Sequence, residues 1–254
     1  MKARLIERQV DAFGPLEVVE QGGEIALHFG NRTAQSAWRP DEPDRLSFAY
    51  YRGLTLPLAL HANPERIGLF GLGGGVMAKF LLEHTESSIH AVDLRPALAE
   101  LARQHFGLAL DHPRLALQFA DLTSAEWQPP APLDIALLDL FDEAGMTRLP
   151  DTAVDRLAAT VAPEGLLAVN LWRSSMPAVV EVHRQLSAHF HPDALVAHVP
   201  DRLNTVMIYR RTAWRTEDLE AGLKRLTAAP RALRRAQGQA WQWLQPLRGH
   251  PRRR

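Results

Sequence analysis

A mostly parallel α/β sheet with helices on both faces is the fold this sequence predicts, and three observations predict it. Apolar runs of strand length alternate with helical stretches from Ile67 to Tyr209, the arrangement in which crossover helices cover both faces of one sheet. A glycine turn, Gly71-Leu72-Gly73-Gly74-Gly75, joins the first of these strands to its helix. Acids stand at or just past the ends of the second, third and fourth strands: Asp93, Asp121 and Asp139. Ligands of open α/β sheets sit beyond the carboxyl ends of the strands. One such acid alone reads as a turn or cap residue, but three on one edge mark that edge as the candidate site.

The elements follow in order. Residues 16–20 and 24–29 alternate around Gly22-Gly23, a hairpin signal. Residues 30–43, with two prolines, are too broken for regular structure, and residues 44–61 have helical apolar spacing with a kink expected at Pro57. The sheet then builds as strand 67–70, helix 76–84, strand 89–93, helix 96–106, strand 115–119, strand 134–139, helix 150–161, strand 165–171, helix 176–190 and strands 195–199 and 205–209. A basic helical tail with a break at Pro230 completes the chain. The expected division is a small N-terminal segment (1–60), a nucleoside-binding domain (61–212) and the tail (213–254).

The glycine turn carries the chemistry. Gly71, Gly73 and Gly75 form G-x-G-x-G, and glycine lets a backbone turn tightly and lie against a ligand. Asp93 follows Gly75 by 18 residues, the place from which a carboxylate holds two ribose hydroxyls. Val76 stands where a dinucleotide motif has its third glycine, and no Gly-Lys-Ser/Thr follows as in a phosphate-binding loop. An adenosine-bearing molecule without a phosphate, S-adenosylmethionine or a relative, fits best.

Composition sets the limits. With 46% hydrophobic and 23% charged residues the chain reads as a soluble globular protein. It has no cysteine, which excludes a disulfide framework, a thiolate metal site and a cysteine nucleophile. The first residues are charged where a signal peptide needs an apolar core, and no apolar run approaches membrane-spanning length, so the expected location is the cytoplasm. The zero net charge is uneven: residues 211–254 carry 11 bases against three acids, and residues 1–210 carry 18 against 26. An acidic body draws a cationic substrate and argues against nucleic acid as a partner; the tail equally reads as a neutralising solvated face, or as one that packs on the domain or a partner subunit, as in a homodimer. The 11 histidines are scattered, and no metal site is expected.

These residues resemble the polyamine aminopropyltransferases, or spermidine synthases, over about residues 16–175. The likeness rests on the hairpin, Gln35-Ser36, Phe48-Ala49-Tyr50-Tyr51, Gly71 to Gly75, Asp93, Asp121 and Leu138-Asp139-Leu140-Phe141-Asp142. It implies a Rossmann-like, class I methyltransferase-type fold behind a small N-terminal β appendage. It also implies transfer from S-adenosylmethionine or its decarboxylated form to an amine, without a metal. By the resemblance Gly71, Gly73, Gly75, Asp93 (ribose) and Asp121 (adenine) bind the donor. Asp139 is the catalytic proton acceptor, and Gln35, Tyr50 and Asp142 bind substrate. The chain departs from the family at Tyr51-Arg52, where Tyr-His-Glu is usual, at Gly74, where an aspartate faces the polyamine, and at Ala12-Phe13-Gly14-Pro15, where a Tyr-Gln pair is expected. Arg52 is expected to bring positive charge near the pocket, repelling a polycation and suiting a carboxylate. Methyl transfer from S-adenosylmethionine and non-catalytic nucleoside binding stay open as alternatives.

Overall fold

The computed structural model describes residues 3–246 apart from 32, 126, 128–131, 143–144, 147–148, 174 and 201–202, with the backbone alone at 141–142 and 145–146. Four antiparallel strands come first, paired in sequence order: β1 (Arg4–Asp11), β2 (Gly14–Gln21), β3 (Glu24–His28) and β4 (Ala34–Trp38). The expected hairpin is β2–β3, with Gly22 and Gly23 both at positive φ in its turn, as a two-residue primed turn requires. Two strands escaped the pattern. β1 is largely exposed, so its sequence shows no apolar alternation. β4 falls in the stretch read as irregular; its small residues Ser36 and Ala37 are buried because the strand lies against the glycine turn, a tertiary contact that local propensity does not register.

The expected kinked helix is two short ones, α1 (Ala49–Leu54) and α2 (Leu56–Leu60). Pro57 opens the second helix rather than bending one, a position where its missing N–H costs nothing.

The main sheet is assembled from β5 (Arg66–Phe70), α3 (Val76–His84), β6 (Ser88–Asp93), α4 (Ala97–Phe106), β7 (Leu115–Phe119) and β8 (Leu133–Leu138). A two-residue pair, β9 (Phe141–Asp142) and β10 (Gly145–Met146), follows, then α5 (Asp151–Thr160), β11 (Val161–Trp172), α6 (Met176–Leu186), β12 (Leu195–His198) and β13 (Asn204–Tyr209). The chain continues through α7 (Thr216–Ala228) and α8 (Arg231–Trp241) to β14 (Leu244–Pro246). Strand order is β14-β12-β13-β11-β8-β5-β6-β7. The five strands β11, β8, β5, β6 and β7 run parallel, and β13, β12 and β14 are antiparallel. β14 corrects the reading of the tail as helix throughout: α8 stops at Trp241 and the chain adds an edge strand to β12.

Both faces of the sheet are covered, which explains the near-continuous apolar runs. Along β8, Ile135 and Leu137 join one core while Ala136 and Leu138 join the other, the two-residue alternation of a strand; Leu133, at the start of the strand, departs from it and joins the second core. The first core also takes in residues of the N-terminal sheet, α1 and α8. Arg225 of α7 donates to the carbonyls of Ala59 (2.7 Å) and Leu60 (2.9 Å), and Gln237 of α8 to that of Thr55 (2.9 Å), tying these helices to α1 and α2. Among the described residues no helix is long and apolar enough to cross a membrane.

Candidate active site

Strand order reverses between β5 and β8: β6 and β7 extend to one side of β5, and β8 lies on the other. The loops after the two strands diverge there and leave a crevice. Gly71 follows β5 and Asp139 follows β8, and their backbones touch: a Cβ on Gly71 would lie 2.2 Å from the carbonyl oxygen of Asp139, and φ there is +103°. No side chain fits that contact, so glycine is required by sterics as well as by backbone conformation.

The crevice opens into a cavity of about 480 Å³, within the range of small-molecule sites. Gln35, Tyr50, Gly71, Gly73, Asp93, Asp121 and Asp139 all line it. Gly75 does not; it caps α3 in the left-handed conformation, with φ +73°, and closes the turn from behind. Asp142 lies on β9, and its side chain is outside the described residues.

Asp93, at the tip of β6, accepts the backbone N–H of Leu72 at 2.7 Å on Oδ2 and that of Arg95 at 2.9 Å on Oδ1. Burial raises its pKa, and these backbone donors act against that shift. The carboxylate thus clamps the glycine turn while keeping lone pairs for hydroxyls of a ligand. Asp121, at the end of β7, holds a local turn through Oδ1, which accepts the N–H of Thr123 at 2.8 Å and its hydroxyl at 2.7 Å.

Asp139 lines the same cavity as Asp93. Its Oδ1 accepts the side-chain amide of Asn170 on β11 at 2.8 Å, and the oxygen of that amide accepts Asn204 of β13 at 3.0 Å. Burial pushes the Asp139 carboxyl up to about 6, although hydrogen bonds from Asn170 and Tyr50 pull it down. Burial and the nearby Asp139 charge raise the Tyr50 phenol well above its usual range, so Tyr50 is a fixed neutral donor. Its ring packs on Tyr51 with centroids 4.6 Å apart. The Tyr51 hydroxyl lies 3.3 Å from Ser36 Oγ, which in turn accepts the N–H of Gly74 at 2.8 Å. A polar chain thus runs from the proposed base to the glycine turn.

Sequence reasoning gave no role to Asn170, Tyr51, Arg95 or Phe13. Asn170 is buried in an otherwise apolar strand, and a buried amide needs partners; that was the available signal. Arg95, two residues past Asp93, is buried and bidentate to Asp11 (3.0 and 2.8 Å), donates to the Gly14 carbonyl at 2.8 Å and stacks over Phe29. It pins the β1–β2 turn over the cavity, where Phe13 forms part of the wall.

One expectation changes, and a departure from the family pattern gains a physical reason. Arg52 does not line this cavity; it hydrogen-bonds Gln239 and the Leu46 carbonyl (3.4 Å) beside a separate hollow. Gly74 is not an empty place for an acid: a Cβ there would meet the Ser36 Cβ at 2.9 Å and the Phe106 ring at 3.1 Å. Gly74→Asp is therefore expected to destabilise the protein by about 1–3 kcal/mol, the usual cost of overpacking, without creating a polyamine subsite. Thermal unfolding and amine binding measure the two effects, and a variant that folds normally and gains polyamine affinity would contradict the packing argument.

Away from the cavity, ligand atoms of Asp44, Glu83 and His84 lie within 4.8 Å of one another. Asp44 lies 3.1 Å from His84, and Glu83 pairs with Lys79 at 2.8 Å.

The strand order, switch-point cavity and capping sheet define a class I methyltransferase-type fold with an N-terminal β appendage. No protein-family model matches the chain. The chain is similar to the polyamine aminopropyltransferase of Chromobacterium violaceum, with 28% identity over 172 residues, 66% of each protein. It is also similar to the eEF1A lysine and N-terminal methyltransferase of Mus musculus, with 25% identity over 64% of this chain and 29% of that protein. In neither case do the matched residues reach two thirds of the relative's length. A crystal structure of spermidine synthase from Thermotoga maritima superposes with a TM-score of 0.66 at 15% identity, covering 93% of this chain and 88% of that one; this likeness establishes the fold.

Proposed function

We propose that the protein is a spermidine synthase-like transferase that takes a group from the sulfonium of decarboxylated S-adenosylmethionine or S-adenosylmethionine and delivers it to a small amine. The observation that carries this reading is the meeting, in one cavity, of a glycine turn and acids suited to an adenosine (Gly71, Gly73, Asp93, Asp121) with a buried carboxylate that has its own hydrogen-bond support (Asp139, held by Tyr50 and Asn170).

An aliphatic ammonium has a pKa of about 10.4 and must lose a proton before its nitrogen can attack carbon. Asp139, ionised near neutral pH yet more basic than an ordinary carboxylate, anchors the cation and receives that proton. Asn170 and Tyr50 hold the carboxylate in place, so approach and proton transfer share one geometry. The bound donor supplies an electrophilic carbon on its sulfonium: the C–N bond forms, the C–S bond breaks, and the thioether nucleoside leaves.

The cavity also bears on the donor. Arg95 is the one Arg, Lys or His among the described lining residues, and its guanidinium is committed to Asp11 and Gly14. Among the described lining residues no uncommitted cation is on hand for a methionine carboxylate, which favours the decarboxylated donor; the likeness to a methyltransferase keeps methyl transfer as the second reading. Incubation with each donor and a panel of di- and polyamines, with detection of methylthioadenosine or S-adenosylhomocysteine, tests the choice. Methylthioadenosine release that depends on an amine is expected. A preference for intact S-adenosylmethionine beyond about tenfold, or about 1.4 kcal/mol, would overturn the aminopropyl assignment.

A further inference from the structure

Helix α1 fronts two hollows. Tyr50 and Tyr51 line the main cavity, while Arg52 lines a second one of about 270 Å³ between α1 and α8. Arg45 and Arg235 line this second hollow as well. Arg45 and Arg52 are neighbours along the chain, and the fold brings Arg235 of α8 to them.

Their charges are poorly compensated. Arg45 pairs with Glu42 at 2.5 Å, but Arg52 is held by neutral groups, the Gln239 amide oxygen and the Leu46 carbonyl. Arg235 has no acidic partner within salt-bridge distance among the described residues. One acid, Asp44, lines the hollow, against three arginines. Burial, with a smaller contribution from the neighbouring Arg45 and Arg235, holds the Arg52 pKa below its ordinary value. Guanidiniums from several directions match a tetrahedral dianion, whose oxygens accept paired N–H donors.

We propose that this hollow is a phosphate-binding site, separate from the adenosyl cavity and backed onto it through α1. The ligand is inorganic phosphate or the phosphoryl group of a small phosphomonoester. Gln239 orients Arg52 from α8, and Arg235 supplies the opposing charge from the same helix.

Thermal unfolding and calorimetry on the full chain, with inorganic phosphate in one arm and glycerol 3-phosphate in the other, test this at ionic strength held constant with sodium chloride. A saturable stabilisation is expected in at least one arm. Phosphate alone identifies the free anion as the ligand; the ester, alone or with phosphate, identifies a phosphorylated metabolite. Arg235→Gln is exposed and should fold normally, and Arg52→Gln supplies a second variant. Each should weaken binding about tenfold or more, as loss of a hydrogen bond to a charged group does, while methylthioadenosine affinity of Arg235→Gln stays unchanged. No effect beyond that of chloride in either arm, or the same phosphate response in both variants, would overturn the proposal. Because the readout is phosphate binding, its failure leaves the transferase reading untouched.

Discussion

Replacing Asp139 with asparagine is expected to lower turnover by about 10²- to 10⁴-fold, the range for a lost general base, with affinity for an adenosyl nucleoside largely retained. The amide has the shape of the carboxyl and its oxygen still accepts Asn170, which donates to Asp139 at 2.8 Å; it cannot take a proton. In the unchanged protein, turnover should fall as pH drops through about 6, where Asp139 becomes protonated. Asn170→Ala removes a donor that favours the ionised form and should move this acid limb to higher pH. Stability carries the same signature. The folded pKa of Asp139 lies above its unfolded value of about 3.8, so the native state binds more protons between these values. Its contribution is fully present below about pH 4 and is lost as pH rises through about 6. The Tm of Asp139→Asn should therefore gain on that of the parent between pH 4.5 and 7. Undiminished turnover, or a Tm difference that does not change with pH, would demote Asp139 to a turn acid.

Asp93→Ala should act on binding. A hydrogen bond to a charged group contributes about 1.5–3 kcal/mol, so losing the carboxylate's contacts to two ribose hydroxyls corresponds to about 10²-fold weaker nucleoside binding or more. The substitution also strips the N–H groups of Leu72 and Arg95 of their acceptors, at a cost of about 1–3 kcal/mol each where burial denies them water. Asp93→Asn separates the effects, since its amide oxygen preserves one acceptor for the turn. At saturating donor either variant should lose less turnover than Asp139→Asn. Calorimetry measures the affinities, and an unchanged Kd in Asp93→Ala would remove Asp93 from the ligand site.

The parallel half of the fold was legible because its strands are buried on both faces. Leu133–Leu138 and Ile67–Phe70 are nearly continuous apolar runs, bounded by glycine, proline or acid. The elements that escaped are those whose order comes from partners. β1 is largely exposed, β4 is small-residue chain packed on the glycine turn, and β14 is a three-residue edge strand with Pro246 in it. The residues in and around the cavity divide the same way. Asp93, Asp121 and Asp139 could be placed because strand ends can be read along the chain. Asn170 looked like one polar residue inside a strand, and Arg95 like an ordinary charge after one; their partners lie 31 and 84 residues away. Arg52 shows the converse error, and Gly74 shows why packing has to be consulted. A departure from a family pattern says which residue is missing, but the packing around it decides whether the pocket could have held one.

The central claim is that the crevice between β5 and β8 takes an adenosyl nucleoside. Titration calorimetry with methylthioadenosine, on the parent protein and on Asp93→Ala, tests it most directly. The account predicts saturable binding of one nucleoside per chain, weakened about 10²-fold or more by the substitution. A flat titration of the folded parent protein at millimolar nucleoside would contradict it.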